Sequence, residues 1–174
     1  KSMDLSPDDG QAQFLLGRLY KSQRKLALAK PLLEESAEKL GTMNAWYELG
    51  DIHLQNGLSE QAFDALTRAV AAAGSQALPA EISAATGVAA YRTKRYAAAV
   101  KWLEQASSKS QSPAIRLNFA VALQAVGNHK QAMQLLSGLV KQDGLNVDAH
   151  IQLMVSLAKT QQGQLAHQVG NRFL

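Results

Sequence analysis

Three residue slots recur in one register along this chain, and they constrain its fold more than any other feature. The first slot holds a small residue, the second alanine and the third leucine, at successive intervals of 33, 37 and 33 residues. The occupants of the three slots are Gly17, Gly50, Gly87 and Ala120; Ala29, Ala62, Ala99 and Ala132; and Leu33, Leu66, Leu103 and Leu136. Such a period predicts a solenoid of stacked units.

Residues 45–69 show the composition of one unit. Their apolar spacing predicts two short amphipathic helices, joined by a turn at Asn56 and Gly57. Gly50 and Ala62 fall on different helices, where small side chains allow two backbones to approach closely. One helical pair cannot bury both of its apolar faces, so stability is expected to come from stacking on neighbouring pairs.

Local signals place the helix boundaries. The first helix is expected to begin at a cap on Ser6, and Pro31 is expected to kink the second helix. Ser59 is expected to cap the fourth helix, residues 107–112 to form a polar linker, and Asn146 to cap the first helix of a fifth unit. The one longer interval is interpreted as a four-residue insertion between the second and third units.

These residues resemble the signature of the tetratricopeptide repeat family. The resemblance rests on Trp46, Leu49, Gly50, Ala62, Leu66 and Ala69, on Leu16, Gly17, Tyr20, Ala29 and Leu33, on Gly87, Tyr96, Ala99, Leu103 and Ala106, and on Ala120, Leu123, Gly127, Ala132 and Leu136. The first repeat also has some Sel1-like character. The resemblance implies an all-α, right-handed superhelical solenoid of about four to five stacked antiparallel helix pairs.

We expect one array over residues 1–174. Its repeats are placed at about 10–42, 43–75, 80–112, 113–145 and 146–174. Residues 1–9 look like the end of a preceding repeat, so the chain is expected to be a piece of a longer array. A last helix from Gln164 fits the register poorly, and it is interpreted as a degenerate repeat or a capping helix.

No catalytic or metal-binding pattern is apparent. The chain has no cysteine, which excludes disulfides, thiolate metal sites and a cysteine nucleophile. Its four histidines never lie three or four residues apart, and His53 and His129 occupy slots that hold tyrosine in other units. No phosphate-binding loop or dinucleotide-binding glycine pattern is present. We therefore expect a protein that is not an enzyme and that uses no cofactor.

Charge is distributed unevenly. Residues 1–60 carry seven basic and nine acidic groups, whereas residues 61–174 carry eleven and five. This is interpreted either as an ordinary solvated surface or as a polarity that orients a partner. Arg92, Lys94 and Arg95 form the densest basic cluster, beside two tyrosines. Nucleic-acid binding through this cluster is an alternative to a solvated turn, and no membrane insertion is expected.

The resemblance places the first helix of each pair on a concave groove. Residues of these helices that are not used for packing are expected to bind a protein or peptide; they are Phe14, Arg18, Lys21, Tyr47, Asp51, Leu54, Val88, Tyr91, Leu117, Asn118, Val121, Gln124, His150 and Met154. The groove is expected to be charged at first and apolar from Leu54 onward. The alternative is that neighbouring repeats or the last helix cover it.

One use of this family is a clamp on the terminal carboxylate of a peptide. It needs lysine and asparagine in slots that here hold Phe14, Arg18, Glu48, Glu81 and Ala85. An extended or helical apolar segment is therefore the expected ligand.

The expected function is that of a non-catalytic scaffold for protein–protein interaction. Glutamine and alanine richness with few ion pairs favours a bacterial adaptor in an envelope assembly, such as a pilus, secretion or exopolysaccharide export system. A periplasmic or envelope location is accordingly favoured over a cytoplasmic one, although the compartment is not specified. Two alternatives stay open: a substrate-recognition region of a larger enzyme, and a homo-oligomerisation element whose repeat ends stack.

Overall fold

The computed structural model describes residues 9–160, and these residues form nine α-helices and no strand. The helices are α1 (Gly10–Ser22), α2 (Leu26–Leu40), α3 (Met43–Gln55), α4 (Ser59–Ala73), α5 (Ala80–Arg92), α6 (Tyr96–Lys109), α7 (Pro113–Ala125), α8 (His129–Gln142) and α9 (Val147–Lys159).

The helices stack in chain order. Each helix packs against the next one, and each odd-numbered helix also contacts the following odd-numbered helix. The odd-numbered helices therefore form one continuous row, with the even-numbered helices on its other side. This confirms the expected all-α superhelical repeat fold.

The recurring slots form the contact between the two helices of each pair. A Cβ atom added to Gly50 would lie 2.6 Å from Cγ of Leu66, and one added to Gly87 would lie 2.6 Å from Cγ of Leu103. At Gly17 the corresponding distance to Leu33 is 2.8 Å. The four alanines of the second slot are completely buried. Small residues are needed here because the leucine of the facing helix fills the space of a side chain.

The turn inside each of the first four pairs has three residues, and its middle residue is left-handed. These middle residues are Arg24, Gly57, Lys94 and Gly127, with φ of 59°, 74°, 62° and 79°. In each turn the residue after the left-handed one donates its backbone N–H to the carbonyl five residues before it. An example is the 2.9 Å bond from the Leu58 amide to the His53 carbonyl. Glycine adopts this conformation without steric cost, whereas arginine and lysine do not.

Three expected boundaries differ from the structure. Helix α1 begins at Gly10 and is capped by Asp9, which accepts a 3.0 Å bond from the Gln11 amide, so a start at Ser6 is wrong. Ser59 is the first residue of α4 rather than its cap, because the left-handed turn already places Leu58 at the cap position. Helix α6 continues to Lys109, which shortens the expected linker at 107–112 to residues 110–112.

The remaining local expectations concern the cap of α9, Pro31 in α2 and the two ends of the chain. Asn146 caps α9, as expected, with its Oδ1 accepting a 2.9 Å bond from the Ala149 amide. Helix α2 runs without interruption past Pro31. Residues 1–8, most of the segment expected to end a preceding repeat, and the last helix expected from Gln164 lie outside the described residues.

Candidate protein-binding groove

The groove surface is built from one face of the odd-numbered helices. On α3, Tyr47, Asp51 and Leu54 are spaced four and three residues apart, so their side chains share a face. Residues on the other faces of α3, such as Leu49 and Ile52, are buried. The repeat register places equivalent residues on the other odd-numbered helices along one side of the array.

The groove begins with a network of charges near α1. The Nζ atom of Lys21 lies 2.5 Å from a carboxylate oxygen of Glu48 and 2.5 Å from one of Asp51. Nε of Arg18 lies 3.0 Å from the other oxygen of Glu48. These contacts cross between α1 and α3, so both acids are neutralised by cations of the preceding repeat.

Burial and charge together set the ionisation of this network. Burial lowers the pKa of Lys21, but hydrogen bonds to Asp51 and Glu48 outweigh it and raise the pKa above its ordinary value. Burial, with the nearby Asp51 carboxylate, raises the pKa of the Tyr47 hydroxyl. Lys21 is therefore charged and Tyr47 neutral near pH 7. Phe14, which was expected to line the groove, is 8% exposed and packs in the hydrophobic core with Leu33 and Ala37. The Arg18 guanidinium lies 5.5 Å from the centroid of its ring.

The groove becomes apolar between α5 and α7. A cavity of about 210 Å³ lies here, and it is lined by Val88, Tyr91, Arg92, Leu103, Asn118 and Val121. Four of these six residues were expected on the groove, and the structure brings them together. Arg92 closes one end by donating a 2.9 Å bond to the carbonyl of Leu54. Small-molecule sites measure about 300–1,000 Å³, so this cavity is matched to one large side chain.

Besides Phe14, two further residues that were expected on the groove make contacts within the array instead. Nε2 of Gln124 donates to the Gln152 carbonyl at 2.7 Å and to Oγ of Ser156 at 2.8 Å, which joins α7 to α9. His150 is 9% exposed, and its Nε2 lies 3.1 Å from the Gly144 carbonyl. Leu117 and Met154 are half-buried beside them.

The basic cluster at the α5–α6 turn is largely engaged within the chain. Arg92 bonds to α3, as described above, while Arg95 lies 2.9 Å from Glu60 and its guanidinium sits 4.6 Å above the Phe63 ring. Tyr91 and Tyr96 pack against each other with ring centroids 5.5 Å apart. These contacts hold α3, α4, α5 and α6 together.

Across residues 9–160, no helix has the length and apolar character needed to cross a membrane.

The repeat is also recognised by comparison with known families. Tetratricopeptide repeat models match residues 14–77, 64–113 and 90–157, which together span most of the chain. No curated protein matches it.

Solved structures with the same fold are numerous. YrrB, described as a tetratricopeptide repeat protein with an unusual peptide-binding site, aligns with a TM-score of 0.83 and 18% identity, over 93% of this chain and 83% of its own. MamA aligns with a TM-score of 0.81 and 13% identity, over 93% of this chain and 88% of its own. At these identities the likeness establishes the fold alone. Together with the family matches, it supports a scaffold for protein–protein interaction in general.

Proposed function

The chain belongs to the tetratricopeptide repeat family, and from this premise we propose that it binds a peptide or helix of a partner protein in its groove, without catalysis. The observation that carries the proposal is the cavity between α5 and α7. Val88, Tyr91 and Val121 supply its apolar wall, and Asn118 supplies a polar group at the edge. One large apolar side chain of the ligand would fill it.

The charged end of the groove supports a fixed orientation of the ligand. Arg18 and Lys21 together balance Glu48 and Asp51, and the Arg18 side chain, 54% exposed, is the most accessible charge of the network. An acidic residue of the ligand would pair with Arg18 while an apolar residue occupies the cavity. The peptide-binding site ascribed to YrrB offers a precedent for peptide recognition on this fold.

A selection from a random peptide display library tests this proposal. Wild-type protein is compared with Val121→Glu, which places a carboxylate in the cavity wall. Val126→Glu is the matched control, because Val126 follows the same helix, is 45% exposed and does not line the cavity. Peptides with a large apolar residue should bind wild type and the control and be lost on Val121→Glu. Equal binding to all three proteins, or no enrichment on wild type, would refute the groove site.

We place the partner in a bacterial envelope assembly. This part of the proposal is supported by composition, since alanine and glutamine are abundant and only 18% of the residues are charged. Capture of partners from separated membrane, periplasmic and cytosolic fractions of the source cell tests it. Recovery of a groove-dependent partner from the cytosolic fraction alone would contradict an envelope role.

Self-association is a second candidate function, favoured by exposed leucines on the first helical pair. Leu15, Leu19 and Leu28 are 47%, 51% and 52% exposed. Light scattering of wild type and of Leu15→Gln/Leu19→Gln distinguishes the two functions. A dimer that dissociates on substitution supports self-association, and a monomer in both cases excludes it.

A further inference from the structure

A second concave site lies on the side of α3 that faces away from the groove. Its volume is about 630 Å³, and it is lined by Glu34, Glu38, Trp46, Leu49, His53, Glu60, Gln61, Asp64, Ala65 and Arg68. We call it the outer pocket. Trp46, Leu49 and His53 lie roughly 130° around α3 from Tyr47, Asp51 and Leu54, at about 100° per residue. A ligand here would not compete with one in the groove.

The charges that line the outer pocket are four carboxylates and one guanidinium. Lys30 lies 3.5 Å from Glu34, and Arg95 lies 2.9 Å from Glu60, so two further cations stand at the rim. The balance stays acidic, and the carboxylate side chains are 44–69% exposed. Within residues 9–160, no three histidine, aspartate or glutamate side chains are grouped to hold a metal ion. The carboxylates surround a wide mouth, which suits an extended organic cation.

The floor of the pocket contains a polar group with no partner among the described residues. His53 is 6% exposed, and its Nδ1 makes no hydrogen bond there. Burial lowers the pKa of this imidazole, against the opposing influence of Glu34, so the ring is neutral near pH 7. With its proton on Nε2, the ring presents Nδ1 as an acceptor. A buried acceptor without a donor is costly, and a ligand N–H would satisfy it once the ring turns toward the pocket.

The chain itself shows which cation this surface accepts. The guanidinium of Arg68 lies 4.7 Å above the Trp46 ring, with Nη1 3.1 Å from Glu38 and Nε 3.2 Å from Asp64. Aromatic stacking combined with planar pairing to carboxylates is characteristic of arginine rather than lysine. Glu34 contacts Lys30 through Oε1, and Glu60 contacts Arg95 through Oε2. The second oxygen of each carboxylate, together with His53, provides a second set of acceptors beside Arg68.

We propose that the outer pocket binds an arginine side chain of a protein partner, between the Glu34 and Glu60 carboxylates and above His53. The pocket volume lies within the range of about 300–1,000 Å³ of ligand sites, so a whole arginine side chain fits beside Arg68. This site is independent of the groove, and one partner or two partners can occupy the two faces.

Fluorescence titration of Trp46 tests the proposal. The chain has two tryptophans, so Trp102→Phe leaves Trp46 as the reporter at the pocket. The probe is the peptide acetyl-Gly-Arg-Gly-amide, and the same peptide with citrulline is its neutral control. Free L-arginine, tested alongside, separates recognition of a peptide from recognition of the amino acid. The arginine peptide should give a saturable change that weakens with added salt, and the citrulline peptide should give none.

Matched variants locate the response. Glu34→Gln/Glu60→Gln should weaken binding by about fivefold or more, whereas Glu104→Gln/Asp148→Asn, two exposed acids elsewhere, should leave it unchanged. Val121→Glu should also leave it unchanged, which separates this site from the groove. The single variant Glu60→Gln serves if circular dichroism shows that the double variant is unfolded. An equal response to the citrulline peptide, no saturable response, or full binding by the pocket variants would overturn the proposal.

Discussion

Adding one methyl group at Gly50 should destabilise the protein, although the same change is favourable in most helices. The new Cβ would lie 2.6 Å from Cγ and 2.9 Å from Cδ2 of Leu66, a side chain that is completely buried. Gly138, inside α8, offers the matched control. A Cβ there would meet only Nη2 of Arg116, at an ordinary 3.6 Å. The two substitutions differ in the space that receives the methyl group.

The expected magnitudes follow from two opposing contributions. Replacing glycine with alanine inside a helix stabilises it by about 0.5–1 kcal/mol. Overpacking a filled core costs about 1–3 kcal/mol. Gly138→Ala should therefore raise the free energy of unfolding by about 0.5–1 kcal/mol, and Gly50→Ala should lower it by about 1 kcal/mol. Gly50→Leu should be worse, while Gln55→Leu, at an exposed position, should change it by less than about 0.5 kcal/mol.

Urea denaturation followed by circular dichroism measures these differences. Native-state hydrogen exchange adds their location, because the loss at Gly50 should be largest in α3 and α4. The Leu66→Ala variant completes a double-mutant cycle, in which Gly50→Ala should cease to be harmful once the leucine is removed. If Gly50→Ala stabilises the protein as much as Gly138→Ala does, the close packing inferred for this slot is refuted.

Three further predictions use the same denaturation assay. Lys94→Gly should stabilise the protein by about 0.5–1 kcal/mol, because it relieves the left-handed backbone of a lysine; a loss of stability would contradict this. Lys21→Met should destabilise it by about 1–2 kcal/mol, since Glu48 and Asp51 lose the cation they share; an unchanged midpoint would show that the network contributes nothing. The folded-state pKa of His53 is lowered by burial, so stability should fall as pH drops below about 6.5, where the unfolded chain takes up the proton first. His53→Tyr should remove that part of the pH dependence, and an identical pH profile would contradict it.

The stacking of helical pairs could be predicted from the sequence because it depends on one repeated contact. Gly50, Ala62 and Leu66 recur in register, and the structure buries all three at the contact between the two helices of a pair.

The sequence also contains a repeated signal for the left-handed turn. Arg24, Gly57, Lys94 and Gly127 follow the same intervals of 33, 37 and 33 residues. This signal was missed because two of its four residues are not glycine, and it would have placed the start of α4 correctly.

The details of the groove could not be predicted in the same way. The contacts of Lys21 with Glu48 and Asp51 join residues 27 and 30 positions apart, and they depend on how one repeat is rotated against the next. The repeat register places Gln124 on the groove face, but it does not reveal that its amide reaches a backbone carbonyl of α9. The outer pocket requires three helices to meet, so no single amphipathic pattern indicates it.

Photo-crosslinking at the groove tests the central claim most directly. Benzoylphenylalanine replaces Tyr91, which lines the cavity, or Gln134, which is exposed on α8. Both proteins are irradiated in an extract of the source cell that includes the membrane fraction, after circular dichroism has shown that they are folded. A protein adduct that forms from position 91 and not from position 134 is the predicted result. The same adducts from both positions, or none from position 91, would contradict a binding site in the groove.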